Sequence, residues 1–285
     1  MAEPPRPPAA DSEPATILLL AGRMKMADRV GHHDYAGGCA LLAASVAQTA
    51  GVRGIVVRDG WPEDAGVFDT VRCVVCYCGG GGKHELFASP ERVERIQALI
   101  GRGVGLVLLH QAVRVAAERA SSLAAWAGGA HVPGTSARGH WRTHHRDLPV
   151  HPVTRGVAPW TIRDGWLREI RFVDGLHGVV PLVWSSRAHG GSSRGGAADV
   201  VSWAYERPGG GRSFCYTGLD AHSAWSVGPI RQLVVNGVLW SAGVAIPDVG
   251  APCAAGAAEL RRHLTPRQPK GLIGRLLHRW RGAAR

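Results

Sequence analysis

The sequence predicts an α/β domain built on a doubly wound, mostly parallel sheet with helices on both faces. Along its first half, short apolar runs alternate with segments of helical pattern, as in successive βαβ units. The run at 104–109 contains no polar residue, which fits a strand buried on both faces. With 285 residues, of which 45% are hydrophobic, the chain can bury one sizeable core.

Four strands and two helices follow from the pattern of the first half. The candidate strands lie at 15–21, 54–58, 71–78 and 104–109, and the first helix lies at 36–49. The second helix has the clearest start, because Ser89 can serve as its N-cap and Pro90 as its first residue. Gly101 and Gly103 mark its end, where glycine commonly caps a helix.

His110 follows the fourth strand directly, and an alanine-rich helix is predicted from 111 to 126. Open α/β sheets bind their ligands at the carboxyl ends of the strands, so His110 is a candidate functional residue. A neutral imidazole there can accept a proton, coordinate a metal or hydrogen-bond a substrate hydroxyl. The alternative is a histidine that only caps the helix or fills the edge of a cleft.

The second half is less regular. Residues 131–175 are rich in Pro, Gly, His and Arg without clear periodicity, which predicts a long irregular excursion. Three further strands are expected at 179–184, 200–205 and 212–217, followed by a closing helix at 229–242.

The basic character of the chain is concentrated at one end. Residues 261–285 hold eight Lys and Arg and no acidic residue, so they supply most of the net charge of +11. Leu272, Leu276 and Trp280 belong to an apolar stripe of a basic amphipathic helix, which suits an anionic membrane surface, nucleic acid or an acidic partner. Alternatively, the stripe docks on the chain's own domain.

Composition also indicates the domain organisation and the compartment. The composition predicts a disordered tail at 1–14, the α/β domain at 15–246, and a linker with the basic amphipathic helix at 247–285. No apolar run approaches the ~20 residues that a membrane span requires. The six cysteines are spread through a core-forming chain, which is typical of reduced thiols in the cytoplasm.

Three apparent motifs do not carry the expected chemistry. The glycine run at 79–82 is not a phosphate-binding P-loop, because Tyr77 replaces the required glycine and His84 the required Ser or Thr. The cysteines at 73, 76 and 78 lie in a strand and are interpreted as core thiols, with the first facing away from the other two. The histidines at 140, 144 and 145 would suit zinc on a helix, but a loop is favoured there.

Four stretches in order resemble one family. They are Gly-His-His-Asp-Tyr at 31–35, the Gly-x-Gly strand ending in His at 103–110, His-Pro-Val-Thr-Arg-Gly at 151–156, and the run at 211–220 leading to Asn-Gly-Val-Leu-Trp at 236–240. Together they are similar to the trehalose-utilisation (ThuA-like) family over about residues 15–245. The resemblance implies a flavodoxin-like sheet related to class I glutamine amidotransferases.

The resemblance also implies a kind of site. Glutamine amidotransferases carry a nucleophilic cysteine at the turn where this chain has His110, so thioester chemistry is not expected here. A cleft of histidines, aspartates and tryptophans suits a carbohydrate or related polyol. The candidate catalytic residues are His110, His222, Asp220 and Asp164. The candidate substrate-binding residues are His32, His33, Asp34, Trp141, Trp166 and Trp225.

Two departures from the family pattern leave the activity open. Gly165 stands where the family has Glu after Asp164, and Asp220-Ala221 stands where it has Gly-His, with His222 one position later. Because these are candidate acid/base or metal-ligand positions, the cofactor is unknown, and a divalent metal is one possibility. Two hypotheses follow: a cytoplasmic enzyme acting on a polyol, or a catalytically degenerate binding or regulatory protein with a basic tail. A homo-oligomer is expected.

Overall fold

A computed structural model describes residues 13–24, 31–185 and 199–265. Within these ranges the strands are β1 (Ala15–Ala21), β2 (Val52–Val57), β3 (Val71–Tyr77), β4 (Gly105–Leu109), β5 (Gly129–Ala130), β6 (Ala137–His145), β7 (Trp160–Arg168), β8 (Arg171–Phe172), β9 (Val179–Trp184), β10 (Val200–Glu206) and β11 (Arg212–Tyr216). The α-helices are α1 (Tyr35–Val46), α2 (Pro90–Gly101), α3 (Ala120–Ala127), α4 (Gly228–Ser241) and α5 (Ala257–His263).

The central sheet confirms the predicted fold class. Its seven strands lie in the order β2-β1-β3-β4-β11-β10-β9. The first five are mutually parallel, and this is the flavodoxin-like order 2-1-3-4-5 with β11 as the fifth strand. Strands β10 and β9 extend the sheet antiparallel at one edge. The carboxyl ends of β1, β4 and β11 therefore open on the same edge.

Helices cover both faces because the side chains of each central strand alternate between two cores. In β1, Leu19 packs with α1 and α4 on one face, whereas Leu18 and Leu20 pack with α2 and α3 on the other. The same alternation separates the cysteines of β3, since Cys73 lies on the first face and Cys76 on the second. All six cysteines are free thiols.

Two predictions about secondary structure are wrong. Residues 131–175 are not irregular, because β6 and β7 form a nine-residue antiparallel hairpin. Its buried positions include the polar residues Thr143 and His145, so the hairpin lacks the apolar alternation that would reveal it. The helix expected from 111 begins only at Ala120, because residues 113–115 run beside His131. The amide of Val115 donates to the carbonyl of His131, and the amide of His131 donates to the carbonyl of Val113.

The chain beyond α4 packs back on the domain. The carboxylate of Asp34, at the start of α1, accepts hydrogen bonds from the backbone amide and hydroxyl of Thr265. Residues 1–12 of the tail predicted at 1–14, and the apolar stripe of the predicted basic helix, lie outside the described residues. In the described ranges, no helix combines the length and apolarity needed to cross a membrane.

Asn236 joins α4 to two neighbouring segments, and its loss should destabilise the fold. Its buried side-chain amide donates to the carbonyls of Val153 and Arg155 and accepts from the amide of Ala251. Because Asn236→Ala leaves these buried groups unsatisfied, we expect unfolding in urea to show a loss of about 3 kcal/mol. Gln97→Ala on the exposed face of α2 is the control and should change stability by less than about 0.5 kcal/mol. Equal effects of the two substitutions would contradict the assigned role.

Candidate functional site

A pocket of about 570 Å³ opens where β1, β4 and β11 end, beside the β6–β7 hairpin. Its lining residues are His32, His33, His110, Gln111, Arg138, Gly139, His140, Gly165, Trp166, Leu167 and Asp220. The pocket therefore lies at the edge of the sheet where α/β proteins of this topology bind ligands.

One carboxylate, that of Asp220, is surrounded by four histidines. Its Oδ1 lies 2.9 Å from Nε2 of His33 and 3.2 Å from Nε2 of His110. Its Oδ2 lies 3.0 Å from Nδ1 of His32 and 2.9 Å from Nε2 of His140. These histidines come from the β1–α1 loop, the end of β4 and the hairpin, so residues distant in sequence converge on one group.

The histidines hold Asp220 in its ionised form. Burial by itself would raise the pKa of Asp220, because a desolvated carboxylate is unfavourable. The nearby imidazole of His110 and the hydrogen bonds from His33 and His140 outweigh that effect and hold the pKa of this carboxyl well below its usual range. The pocket thus contains a permanent negative charge.

The position of His110 decides which of its nitrogens is available for chemistry. Its Nδ1 lies 3.0 Å from the carbonyl oxygen of Thr217, which can only accept, so Nδ1 carries a proton and donates it there. Nε2 is buried, has no hydrogen-bond partner of good geometry among the described residues, and faces Asp220. A proton or a metal ion between Nε2 of His110 and the Asp220 carboxylate would give each of these two groups a bonding partner.

Asp164 supports the site from below. Its carboxylate accepts hydrogen bonds from the backbone amides of Gly165, Leu219 and Asp220, and the Tyr77 hydroxyl donates to the carbonyl of Leu219. Burial raises the pKa of Asp164, while the charge of His110 and the backbone donors oppose that shift. Asp164 therefore fixes the turn that presents Asp220.

Strained backbone is concentrated at the same place. His33, His110 and Leu219 have φ values of 51°, 54° and 72°, in the left-handed region that non-glycine residues rarely adopt. Such conformations cost about 1–3 kcal/mol each and persist where the surrounding structure enforces them. The hydrogen bonds of Asp220, Tyr77 and Asp164 supply that enforcement.

Gly165 makes room for His140. A Cβ atom at position 165 would lie 3.0 Å from Nε2 of His140 and 2.8 Å from Cβ of Asp220. A side chain at position 165 would therefore collide with His140 and Asp220 as they are placed here. Asp220 is consequently the one carboxylate among the lining residues in the described part of the chain.

The structure brings half of the predicted site residues to the pocket lining. His32, His33, His110, Trp166 and Asp220 line it. Asp164 lies directly beneath, in contact with the backbone of the Asp220 turn.

Four other predicted residues are not brought to the pocket. Asp34 is the N-cap of α1, and its carboxylate lies 3.3 Å from Nδ1 of His222. His222 also contacts the carbonyl of Leu260, so this pair faces the C-terminal segment. Trp225 is fully buried in the core, and the indole N–H of Trp141 donates to the Ser185 hydroxyl.

Sequence reasoning missed His140, Gln111 and Arg138 as lining residues. The available signal was the strict alternation in β6, where Arg138, His140, Arg142 and His144 occupy every second position. That period places all four on one face of a strand, so the loop predicted for these histidines is wrong.

The donor set fits a divalent cation at one point. Ligand atoms of His33, His110 and Asp220 all lie within 4.8 Å of one another. Nε2 of His110 is a buried nitrogen without a hydrogen bond among the described residues. Two imidazoles and one carboxylate are ordinary ligands of zinc and related metals. Cys76, Cys78 and His84 also lie close together, but both nitrogens of His84 are engaged, by the amide of Leu86 and the carbonyl of Ala112.

Comparisons with known proteins agree with this architecture. The sequence matches the ThuA family model, described as trehalose utilisation, over residues 65–241. A ThuA-like protein from Bacteroides uniformis is similar in structure with a TM-score of 0.60 and 12% identity, over 84% of this chain and 95% of that protein. A ThuA-like protein from Parabacteroides merdae gives a TM-score of 0.54 and 16% identity, over 85% and 96%. No curated protein matches the sequence.

Proposed function

Because this chain belongs to the ThuA family, we propose that it binds and acts on a carbohydrate or related polyol in the pocket around Asp220. The observation that carries the proposal is the convergence of four histidines on one buried carboxylate at the carboxyl edge of the sheet. Polar groups that converge in a concave site with an aromatic wall are suited to a ligand with many hydroxyls.

Each lining residue has a separate role in this proposal. His110 is the base, because its Nδ1–H is fixed on Thr217 and its Nε2 can accept a proton from a ligand hydroxyl. Asp220 stabilises the imidazolium that forms, at an Nε2–Oδ1 distance of 3.2 Å. His140, whose side chain is 56% exposed, connects the cluster to solvent and can return the proton. The ring of Trp166 forms part of the wall.

A divalent cation fits the same proposal. His33, His110 and Asp220 would hold it, with Nε2 of His110 as a ligand in place of a proton acceptor. When bound, such an ion polarises ligand oxygens and lowers the pKa of a bound hydroxyl or water. His32 and His140 would then remain to hydrogen-bond the ligand.

A binding protein without turnover is the second candidate. It is favoured by Gly165, which leaves the pocket with one acidic side chain where general acid/base chemistry commonly uses two groups of different pKa. The two candidates share the pocket and differ only in whether bound polyol is converted. Analysis of the bound compound after prolonged incubation separates them.

Thermal unfolding of metal-stripped protein tests the proposal. We expect added ZnCl2 or MnCl2, and separately trehalose, glucose or myo-inositol, to raise the melting temperature by about 5–10 °C at a hundredfold excess over the dissociation constant. His110→Ala should remove these shifts. His144→Ala is the matched control, because His144 lies on the same hairpin, bonds to Thr161 and does not line the pocket.

Two results would contradict this function. Shifts of equal size in the wild type and His110→Ala would place the binding elsewhere. No shift with any of these metals or polyols, in protein that unfolds cooperatively, would remove the proposal altogether.

A further inference from the structure

The exposed face of the β6–β7 hairpin carries an unusual concentration of positive charge. Three arginines define a cationic strip: Arg138 and Arg142 on β6, and Arg163 on β7. All three are exposed, and Arg138 also lines the pocket. Alternate residues of a strand lie on the same face, and successive residues on that face are about 7 Å apart. The strip therefore runs outward from the pocket along the hairpin.

Within the strip, two like charges are placed opposite each other. Arg142 pairs directly with Arg163 across the hairpin. Side chains in such pairs have Cβ atoms about 5 Å apart, and like charges there are destabilising. In the described part of the chain, the ion pairs of arginine do not include any of these three residues. The hairpin therefore holds charge that the described residues do not neutralise.

The charge continues beside the pocket. Burial lowers the pKa of Arg114, and the nearby charge of Arg138 lowers it further, so these two guanidinium groups lie close enough to repel each other. In the described part of the chain, the contacts of the Asp220 carboxylate are with the four histidines, and its ion pairs do not include an arginine of the strip. The exposed guanidinium groups of the strip are therefore accessible to an external anion.

We propose that the ligand is an acidic oligosaccharide: one sugar unit occupies the Asp220 pocket, and the carboxylate or sulfate groups of the following units bind Arg138, Arg142 and Arg163. This rests on the proposed function, since it extends the same site to a longer ligand. Arginine suits planar carboxylate and sulfate groups because it can donate two parallel hydrogen bonds.

The surroundings of the strip favour this ligand over other polyanions. Single-stranded nucleic acid is bound through exposed aromatic rings, and membranes through exposed apolar side chains. Among the described residues, the exposed large hydrophobics are Met24, Val150, Val180 and Val249, and none is aromatic. The strip also begins inside the polyol pocket, at Arg138, next to His140.

Calorimetric titration of the full chain tests the inference. The probes are trigalacturonate and a heparin-derived tetrasaccharide as acidic sugars, and maltotriose as a neutral sugar. We expect the acidic probes to bind about tenfold more tightly than maltotriose near 50 mM NaCl, and this preference to vanish at about 500 mM. Arg142→Gln/Arg163→Gln should reduce the preference to about two- to threefold, because Arg138 remains, and leave maltotriose binding unchanged. Arg72→Gln is the matched control, because Arg72 is an exposed arginine at the amino end of β3, away from the pocket at the carboxyl ends of the strands.

The stability of the double variant provides a second readout. Because it removes a repulsive pair, its melting temperature should equal or exceed that of the wild type, so weaker binding would not reflect misfolding. Equal affinities of the wild type for acidic and neutral sugars, or a preference of undiminished size in the double variant, would overturn the inference and leave the proposed function standing. Binding of duplex DNA or phosphatidylserine vesicles through Arg142 and Arg163, without acidic sugar binding, would also overturn it. Failure of all three probes to bind would overturn the inference, whereas the thermal shifts with metals, trehalose, glucose and myo-inositol decide the proposed function.

Discussion

Asp220→Asn is expected to weaken binding of both divalent cation and polyol by at least about 100-fold while leaving the fold intact. The substitution removes the charge that the surrounding histidines stabilise and replaces one acceptor oxygen by an N–H2 donor. His110 would then lose the group that stabilises its protonated form. The measurement is calorimetric titration with ZnCl2 and with the polyol that gives the largest thermal shift.

Asp164→Asn is the matched comparison for this prediction. Asp164 is buried beneath the pocket and accepts three backbone hydrogen bonds, so its replacement leaves a donor opposed to the amide of Leu219. We expect a loss of about 2 kcal/mol in the free energy of unfolding. If Asp220→Asn retained full affinity, or lost it only by unfolding as Asp164→Asn does, Asp220 would be a structural residue.

Much of the fold could be predicted because local sequence and tertiary structure agree there. The apolar run of β4 is buried throughout, and Ser89 and Pro90 begin α2 as predicted, with the Ser89 hydroxyl accepting from the amide of Arg92. The β6–β7 hairpin could not be predicted in the same way. Its register depends on contacts such as Trp141 with Ser185 and His145 with the carbonyl of Trp184, which no local pattern contains.

The site shows the same division between local and long-range information. His110 could be found because the end of a buried strand is visible in the sequence. The opposite roles of His33 and Asp34 could not, although they are neighbours. The positive φ of His33 directs its imidazole to Asp220, and the following residue caps α1 and faces Thr265. Adjacent residues therefore serve different parts of the molecule, and only the backbone conformation separates them.

Three buried histidines should make the protein sensitive to acid. Burial lowers the pKa of His84, His131 and His145 to about 4 each, from 6.5 for an exposed histidine. Well above pH 6.5 neither the folded nor the unfolded chain protonates them appreciably. As the pH falls from 6.5 towards 4, the unfolded chain binds protons that the folded chain does not, so stability is lost across that window and levels off below it.

The expected effect is large. Each histidine adds about 3 kcal/mol to the unfolding free energy that is lost between pH 6.5 and pH 4. The three losses together are comparable with the whole stability of an ordinary domain, about 5–15 kcal/mol. We therefore expect the urea midpoint to fall steeply between pH 6.5 and pH 4.

His145→Asn tests the cause, because the asparagine amide can still donate to the carbonyl of Trp184 as Nδ1 of His145 does, but it does not titrate. The loss of unfolding free energy between pH 7 and pH 4.5 should shrink by about a third. His144→Asn, at the exposed neighbouring position, should leave the loss unchanged. Identical pH dependence in both variants would mean that the acid sensitivity comes from other groups, because the two positions differ chiefly in burial.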